Sequence, residues 1–204
     1  MVHPLNWTVE TKQSATSTSD LAKQAALEGA PHGSGYLAIE QTAGRGRRGR
    51  HWSSLEGGMY LSVILRPEVE KKFWFVLSFA ASLAVLDTVR EQLETHFDVN
   101  DMPQIGLKWP NDVMMAGGKI AGILLESEGQ ALIVGSGVNI APVREKSFRA
   151  SNYQGPPNAL IAPMALADVW PQTAEDLPSP HQLARSYMTH LAYWYGKFES
   201  DGFA

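Results

Sequence analysis

Two stretches of the 204-residue chain concentrate side chains able to do chemistry. The first, EQTAGRGRRGRHWSS at residues 40–54, sets Arg45, Arg47, Arg48 and Arg50 within six positions and separates them with Gly44, Gly46 and Gly49. The second, KWPNDVMMAGGKIAGILLE at 108–126, places Lys108, Asn111 and Asp112 around Pro110; Lys119 follows Asp112 by seven residues, across a glycine turn. Guanidinium groups bind phosphate and carboxylate bidentately, and glycine lets backbone N–H groups approach an anion. Four like charges on so flexible a backbone repel one another and cost ordering entropy, so the loop is expensive as a purely structural element. A polyanion offsets both effects. The expectation is a loop mobile when empty and ordered around phosphates.

Other readings of these residues stand beside that one. Gly44, Gly46 and Gly49 satisfy G-x-G-x-x-G, but a dinucleotide-binding turn leads into a helix, and HWSSLEGGMYLSVIL reads as turn and strand. A protein-kinase loop does lie between strands, yet the kinase lysine, HRD and DFG elements are missing. Trp52 could stack on a base, pack against a small ligand, or be a plain core tryptophan. Asp112 could cap a turn, Asn111 could hold an Asx-turn and Lys119 could solvate a hairpin, although Gly117 and Gly118 favour close packing there.

Composition narrows the partners. The formal net charge is −4, so the positive charge is local and its target is expected to be small rather than a nucleic acid held on a broad basic face. With 44% hydrophobic and 19% charged residues the chain has a globular balance, and its length suits one principal domain. There is no cysteine, which excludes disulfides, thiolate metal sites and a cysteine nucleophile, and is compatible with a cytoplasmic location. The six histidines show no metal-ligand spacing. The N-terminal MVHPLNWTVE does not read as a secretory signal, and the apolar run at 73–86 is too short to span a membrane and reads as a buried helix.

The elements that must position these groups follow from pattern. DLAKQAALEG reads as a short helix preceded by Ser17, Thr18 and Ser19 as cap-type hydroxyls and ended by Gly29. GYLAIE (35–40) and MYLSVILRP (59–67) read as strands, with the arginine loop between them. Residues 72–97 carry a helical pattern, and IGLKW (105–109) is extended. VMMAGGKIAGILLESE reads as two strands joined around Ala116, Gly117 and Gly118, and ALIVGSGVNI (131–140) as another strand. From 141 to about 180 prolines interrupt the pattern, although PMALADVW suits a turn or two of helix; a final amphipathic helix is expected from about Ser179 to Gly202.

QTAGRGRRGRHWSS, LKWPNDVMMAGGKIAGILLE and GSGVNI, in that order, resemble the catalytic domain of the biotin protein ligases, within the wider biotin/lipoate ligase family. STSDLAK at 17–23 is similar to that family's S-T-N-x-x-A-K element, with Ser19 in place of the usual asparagine. The resemblance implies an α+β fold, a mixed β-sheet flanked by helices and similar to class II aminoacyl-tRNA synthetases. It also implies an enzyme that activates biotin with ATP to biotinyl-5'-adenylate, releases pyrophosphate, and transfers biotin to a lysine of a biotin carboxyl carrier domain. A lipoate or octanoate ligase on the same scaffold and a non-catalytic biotin- or nucleotide-binding module are the alternatives.

Carried over by residue, Ser17, Thr18 and Gln41 would hold the fused-ring head of biotin, with Gly44, Gly122 and Ile123 beside it. Arg45 and Arg47 would face carboxylate and phosphate, with Arg48 and Arg50 also serving ATP and Trp52 packing on the ligand. Lys119 would contact the acyl-phosphate oxygens, Asn111 and Asp112 would line the reaction centre, and Asn139 would sit near the nucleotide. Mg2+ is expected to arrive with ATP rather than on protein ligands. The resemblance further suggests a homodimer. The motifs begin by residue 17 and the chain stops at DGFA, so a DNA-binding N-terminal domain and the small C-terminal β-barrel of many members are expected to be absent, with residues 1–204 forming one catalytic domain.

Overall fold

The computed structural model describes residues 7–54, 56–142, 161–171 and 177–202. Along them run β1 (Thr8–Ala15), α1 (Thr18–Leu27), β2 (Ser34–Gln41), β3 (Gly58–Leu65) and α2 (Leu77–Glu94). There follow β4 (Ile105–Lys108), β5 (Asp112–Met115), β6 (Gly118–Glu128), β7 (Ala131–Asn139) and the final helix α3 (Pro180–Asp201). The strands form one seven-stranded sheet in the order β1-β2-β3-β7-β6-β5-β4. Only the β1/β2 pair is parallel, so the sheet is mixed, as expected.

Alternation along the central strands gives the sheet two different faces. Leu61, Val63 and Leu65 of β3 and Val134 and Val138 of β7 join the main core with α2 and α3. The residues between them face the other way, where Ile64 and Ile133 meet Ala22 and Ala26 of α1. Helix α3 presents Leu183, Tyr187 and Leu191 at four-residue spacing, each essentially without solvent contact. Burying each leucine contributes about 1.5–3 kcal/mol. Polar ties help fix that helix: the Ser136 and Tyr187 hydroxyls lie 2.7 Å apart, the Trp194 indole N–H donates to Asp87 Oδ2 at 2.7 Å, and Ser186 and His190 both meet Glu91 of α2. Ser179 begins α3 through a reciprocal capping box with Gln182.

Most expected elements are present with shifted ends. The pattern at 72–97 divides into a 3-10 turn, Lys71–Val76, and α2. The segment Lys71–Glu94 is long and apolar enough to cross a membrane, but its Ala81, Ala84, Val85, Val89 and Leu93 are buried in the core, as a core helix requires. PMALADVW supplies a 3-10 turn at Leu166–Asp168, while Pro156 and Pro157 lie outside the described residues. Strand β1 has no counterpart in the sequence reading. Its residues Thr8–Ser14 are all exposed, so TVETKQSA offers no apolar alternation, and it pairs with β2 alone at the sheet edge.

Candidate functional site

The face opposite the main core carries a cleft between β3, β6, β7, α1 and the arginine loop. Its floor is made by glycines. Gly122 of β6 and Gly137 of β7 are direct cross-strand partners. A Cβ on Gly137 would lie 2.6 Å from Trp52 Nε1, and one on Gly122 would lie 3.0 Å from Trp52 Cζ3, so the indole rests where two side chains would otherwise stand. The indole N–H is buried and has no hydrogen-bond partner. Trp52 is therefore a wall of the cleft and not a residue of the main core.

One end of the cleft is polar. Thr18 donates its backbone N–H to Gln41 Oε1 at 2.8 Å, and its hydroxyl lies 3.1 Å from the same oxygen and 2.8 Å from the Ser62 hydroxyl. Gln41 Nε2 donates to Ser54 Oγ at 2.7 Å. Ser17 occupies the N-cap of α1 but makes no side-chain capping bond; it lines the cleft instead. Tyr60 closes this region, and burial pushes its phenol well above the ordinary tyrosine range.

The other end is charged. Lys119 Nζ lies 2.6 Å from Asp112 Oδ1 and 5.1 Å from the centroid of the Trp52 ring. Its position depends on an irregularity between β5 and β6: Asp112 pairs with Gly122 and Val113 with Ala121, but Met114 pairs with Lys119, leaving Ile120 as an extra residue. In a regular strand residues 119 and 122 point to opposite faces. The bulge reverses that parity, and a Cβ on Gly122 would stand 3.2 Å from Lys119 Nζ. Lys119 is further fastened by backbone bonds to the 162–164 segment, from Lys119 N–H to Ala162 O and from Met164 N–H to Lys119 O, both 2.8 Å.

Asn111 joins the two motifs. It accepts from Arg47 Nη1 at 2.9 Å and donates its own amide to Ile123 O at 2.8 Å. The Ile123 N–H donates to Asn111 O at 2.9 Å, and the Ile123 side chain lies in the main core, so that residue borders the cleft through backbone already bonded to Asn111. Asn139 turns its amide to Met164 O at 3.0 Å and Lys119 O at 3.5 Å; it braces the Lys119 segment.

The arginine loop is closed by its own backbone. Gly46 N–H donates to Arg50 O at 2.7 Å and Trp52 N–H to Gly44 O at 2.9 Å, with Arg47–Gly49 as a 3-10 turn. A Cβ at Gly44 would sit 2.4 Å from Ser54 Oγ and 2.6 Å from Trp52 O, so the loop base admits glycine alone. Arg45 forms a bidentate pair with Asp20 of α1, at 2.9 and 2.6 Å. This pairing holds the Asp20 carboxyl below the usual carboxylate range and raises Arg45. Arg47, Arg48 and Arg50 are exposed, and Arg50 Nε donates to Arg47 O at 3.4 Å.

Ser17, Thr18, Gln41, Arg45, Trp52, Asn111, Lys119, Gly122 and Ile123 thus border one cleft. Asp112 and Arg47 reach it through Lys119 and Asn111. Gly44 shapes the loop base, Asn139 stands behind the Lys119 segment, and Arg48 and Arg50 remain on the outer loop. The sequence reading omitted Asp20, Ser54, Tyr60, Ser62, Glu126 and Gly137. Gly137 carried a usable signal, since glycine inside a buried strand marks close approach. Ser62 and Tyr60, within an apolar strand, carried none.

Comparison with known proteins agrees with this geometry. Residues 11–140 match the Biotin/lipoate A/B protein ligase family. A biotin--[acetyl-CoA-carboxylase] ligase of Paracoccus denitrificans is 43% identical over 131 residues, 60% of this chain and 52% of that protein. The chain spans about half the length of the curated relatives it matches. Among solved structures, biotin protein ligase from Leishmania major in complex with biotinyl-5-AMP superposes with a TM-score of 0.70 at 30% identity, covering 91% of this chain and 73% of that one. Biotin protein ligase from Aquifex aeolicus in complex with biotin and ATP gives 0.71 at 25% identity, covering 94% and 72%.

Proposed function

The chain belongs to the biotin/lipoate A/B protein ligase family, and from that premise we propose that it attaches biotin to a protein through an acyl-adenylate. In the first step a biotin carboxylate oxygen attacks the α-phosphorus of ATP, and pyrophosphate leaves with the electrons of the broken P–O bond. In the second, the amine of an acceptor lysine attacks the acyl carbon, an amide forms, and AMP departs. The ligands of the Leishmania and Aquifex structures, biotinyl-5-AMP and biotin with ATP, support this reading.

The observation that carries it is the placement of Lys119. A bulge brings its ammonium beside the Gly122/Gly137 floor, at the end of the cleft away from the polar groups. A ligand with a polar head and an anionic tail fits that polarity. Ser17, Thr18 and Gln41 would bond the ring head, the glycine floor would take its apolar face, and Trp52 would cover it. Lys119 and Arg47 would then meet the acyl and phosphate oxygens, where preorganised positive charge offsets the repulsion of two anions and stabilises the charge that develops. Arg48 and Arg50 on the outer loop suit the departing pyrophosphate. Asp112 would attract the acceptor ammonium and receive its proton.

A lipoyl or octanoyl group has no polar head to exchange hydrogen bonds with the Thr18/Gln41 end, whose side chains a ureido-like head could bond in addition to one another. This favours biotin. Among the described residues there is no cluster of three or more metal-ligating side chains, and Mg2+ would enter on the ATP phosphates, as that ion commonly does. The acceptor in this reading is a biotin carboxyl carrier domain, and the site of action is the cytoplasm.

The test is pyrophosphate exchange into ATP with Mg2+ and, in parallel, biotin, lipoate, octanoate or no acid. Exchange dependent on biotin alone is expected. Exchange with lipoate or octanoate instead would overturn the acid assignment, and no exchange with any acid would overturn the activation step.

A further inference from the structure

We infer that Arg45 is the latch of the arginine loop and that Asp20, in the first turn of α1, is the residue that positions it. The inference rests on the adenylate-forming reading above, and it divides the loop's arginines into two tasks. Arg45 gives both terminal nitrogens to the two oxygens of Asp20, at 2.9 and 2.6 Å. Its Nη2 also lies 3.8 Å from Glu126 Oε2, an oxygen that is buried and has no hydrogen-bond partner of its own. The other Glu126 oxygen takes Lys23 Nζ at 2.5 Å. Two carboxylates and two cations therefore meet where α1, β6 and the loop converge, and the group is neutral as a set.

That neutrality distinguishes Arg45 from Arg47. The Arg47 guanidinium is met by the neutral amide of Asn111, at 2.9 Å, and keeps its charge for an anion. Arg45 has its charge matched within the protein, and its fork is filled by a carboxylate of the kind a substrate would offer. Its neighbours in the loop are tied: residue 45 bridges to His51, and Gly44 O accepts from Trp52 N–H at 2.9 Å. Holding Arg45 against α1 thus holds Trp52 over the glycine floor. Asp20 acts through Arg45, on closure of the loop, and touches no reacting atom.

The variants are Asp20→Asn, Arg45→Gln and the double variant, with Asp20→Glu as the conservative control. The first readout is hydrogen exchange of the Gly46 and Trp52 amides in the ligand-free protein. The second is the dissociation rate of biotinyl-adenylate formed from biotin and MgATP. Each single variant should raise both rates by roughly fivefold, the scale of a partly exposed ion pair. The double variant should do no more than either single one, since all three remove the same contact, and Asp20→Glu should restore most of the wild-type behaviour. Thermal melting should hardly move. Wild-type exchange and release in Asp20→Asn would overturn the inference, as would a double variant whose effect is the product of the singles, because Arg45 would then act on the ligand independently. If the wild-type protein forms no adenylate, the functional reading fails, while amide exchange in the empty protein still decides the latch.

Discussion

Replacing Gly137 with alanine tests the floor of the cleft directly. The added methyl carbon would stand 2.6 Å from Trp52 Nε1 and 2.8 Å from Cε2. Ordinary contacts between such atoms lie at about 3.5–4.0 Å, so either the indole or the strand must give by about 1 Å. Strand β7 is hydrogen-bonded on both sides, to β3 and β6, and cannot retreat alone. The indole must move, carrying a loop fixed to it by the Trp52 N–H bond to Gly44 O. Overpacking of this kind costs about 1–3 kcal/mol. If that cost falls on the ligand-binding arrangement, biotin binds roughly 5- to 150-fold more weakly. Gly122→Ala is the internal control, because its methyl would meet Trp52 at 3.0 Å and the mobile end of Lys119 at 3.2 Å. Its effect should be smaller, about fivefold or less. Calorimetric titration with biotin, alongside thermal melting, reads both. Unchanged binding in Gly137→Ala, or a larger loss in Gly122→Ala, would refute the assignment of this glycine pair as the floor.

Lys119→Gln keeps the length of the side chain and removes its charge; pyrophosphate exchange should fall by about 10²–10³-fold, as when one preorganised group is removed from a charged transition state. The fold should survive, since Lys119 and Asp112 are both partly exposed. Arg47→Ala should speed adenylate release while leaving the melting temperature almost unchanged, because this exposed side chain's bond is to the Asn111 amide; equal losses in both would contradict the reading. A pH effect is expected far from the site, at His32. Its Nδ1 accepts from Arg66 N–H at 3.0 Å, its Nε2 is buried without a partner, and burial holds its basicity below the ordinary histidine value, with Glu199 opposing and Arg66 assisting. The unfolded chain therefore binds the proton more readily, and stability should fall as the pH drops below about 6.5. Melting measured from about pH 8 to pH 5 should show a shallower decline in His32→Gln than in the wild type.

The motifs were legible because their residue types are costly without a ligand: four arginines among glycines, and a lysine behind a glycine turn. The strands that carry them were legible from short apolar runs such as SVIL and ILL. Strand β1 was not, because an exposed edge strand needs no apolar alternation and TVETKQSA has none. The helix caps gave a mixed result: Ser179 caps α3 as its type suggests, whereas Ser17 stands at an N-cap, makes no side-chain capping bond and lines the cleft. The bonds that Asn139 makes were not legible either, since its amide braces the Met164 and Lys119 carbonyls from distant parts of the sequence. The Asp20–Arg45 pair joins residues 25 apart in sequence, and no local pattern announces it.

The extra residue at Ile120 makes the direction of Lys119 depend on backbone irregularity and not on side-chain type alone. Lys119 and Gly122 share a face because three steps along β6 contain one that the partner strand does not match. A β6 regular over the same residues would keep every side chain of the cleft in the sequence and yet turn Lys119 toward the main-core face, whereas deleting Ile120 itself would restore a regular ladder with Lys119 two residues from Gly122 and still on the cleft face. Adding a residue at the exposed turn around Ala116 and Gly117 would leave that count intact. Changes in length therefore have a safe place at the tip of this hairpin, and the irregular step between Lys119 and Gly122 shapes the cleft as much as the lysine itself.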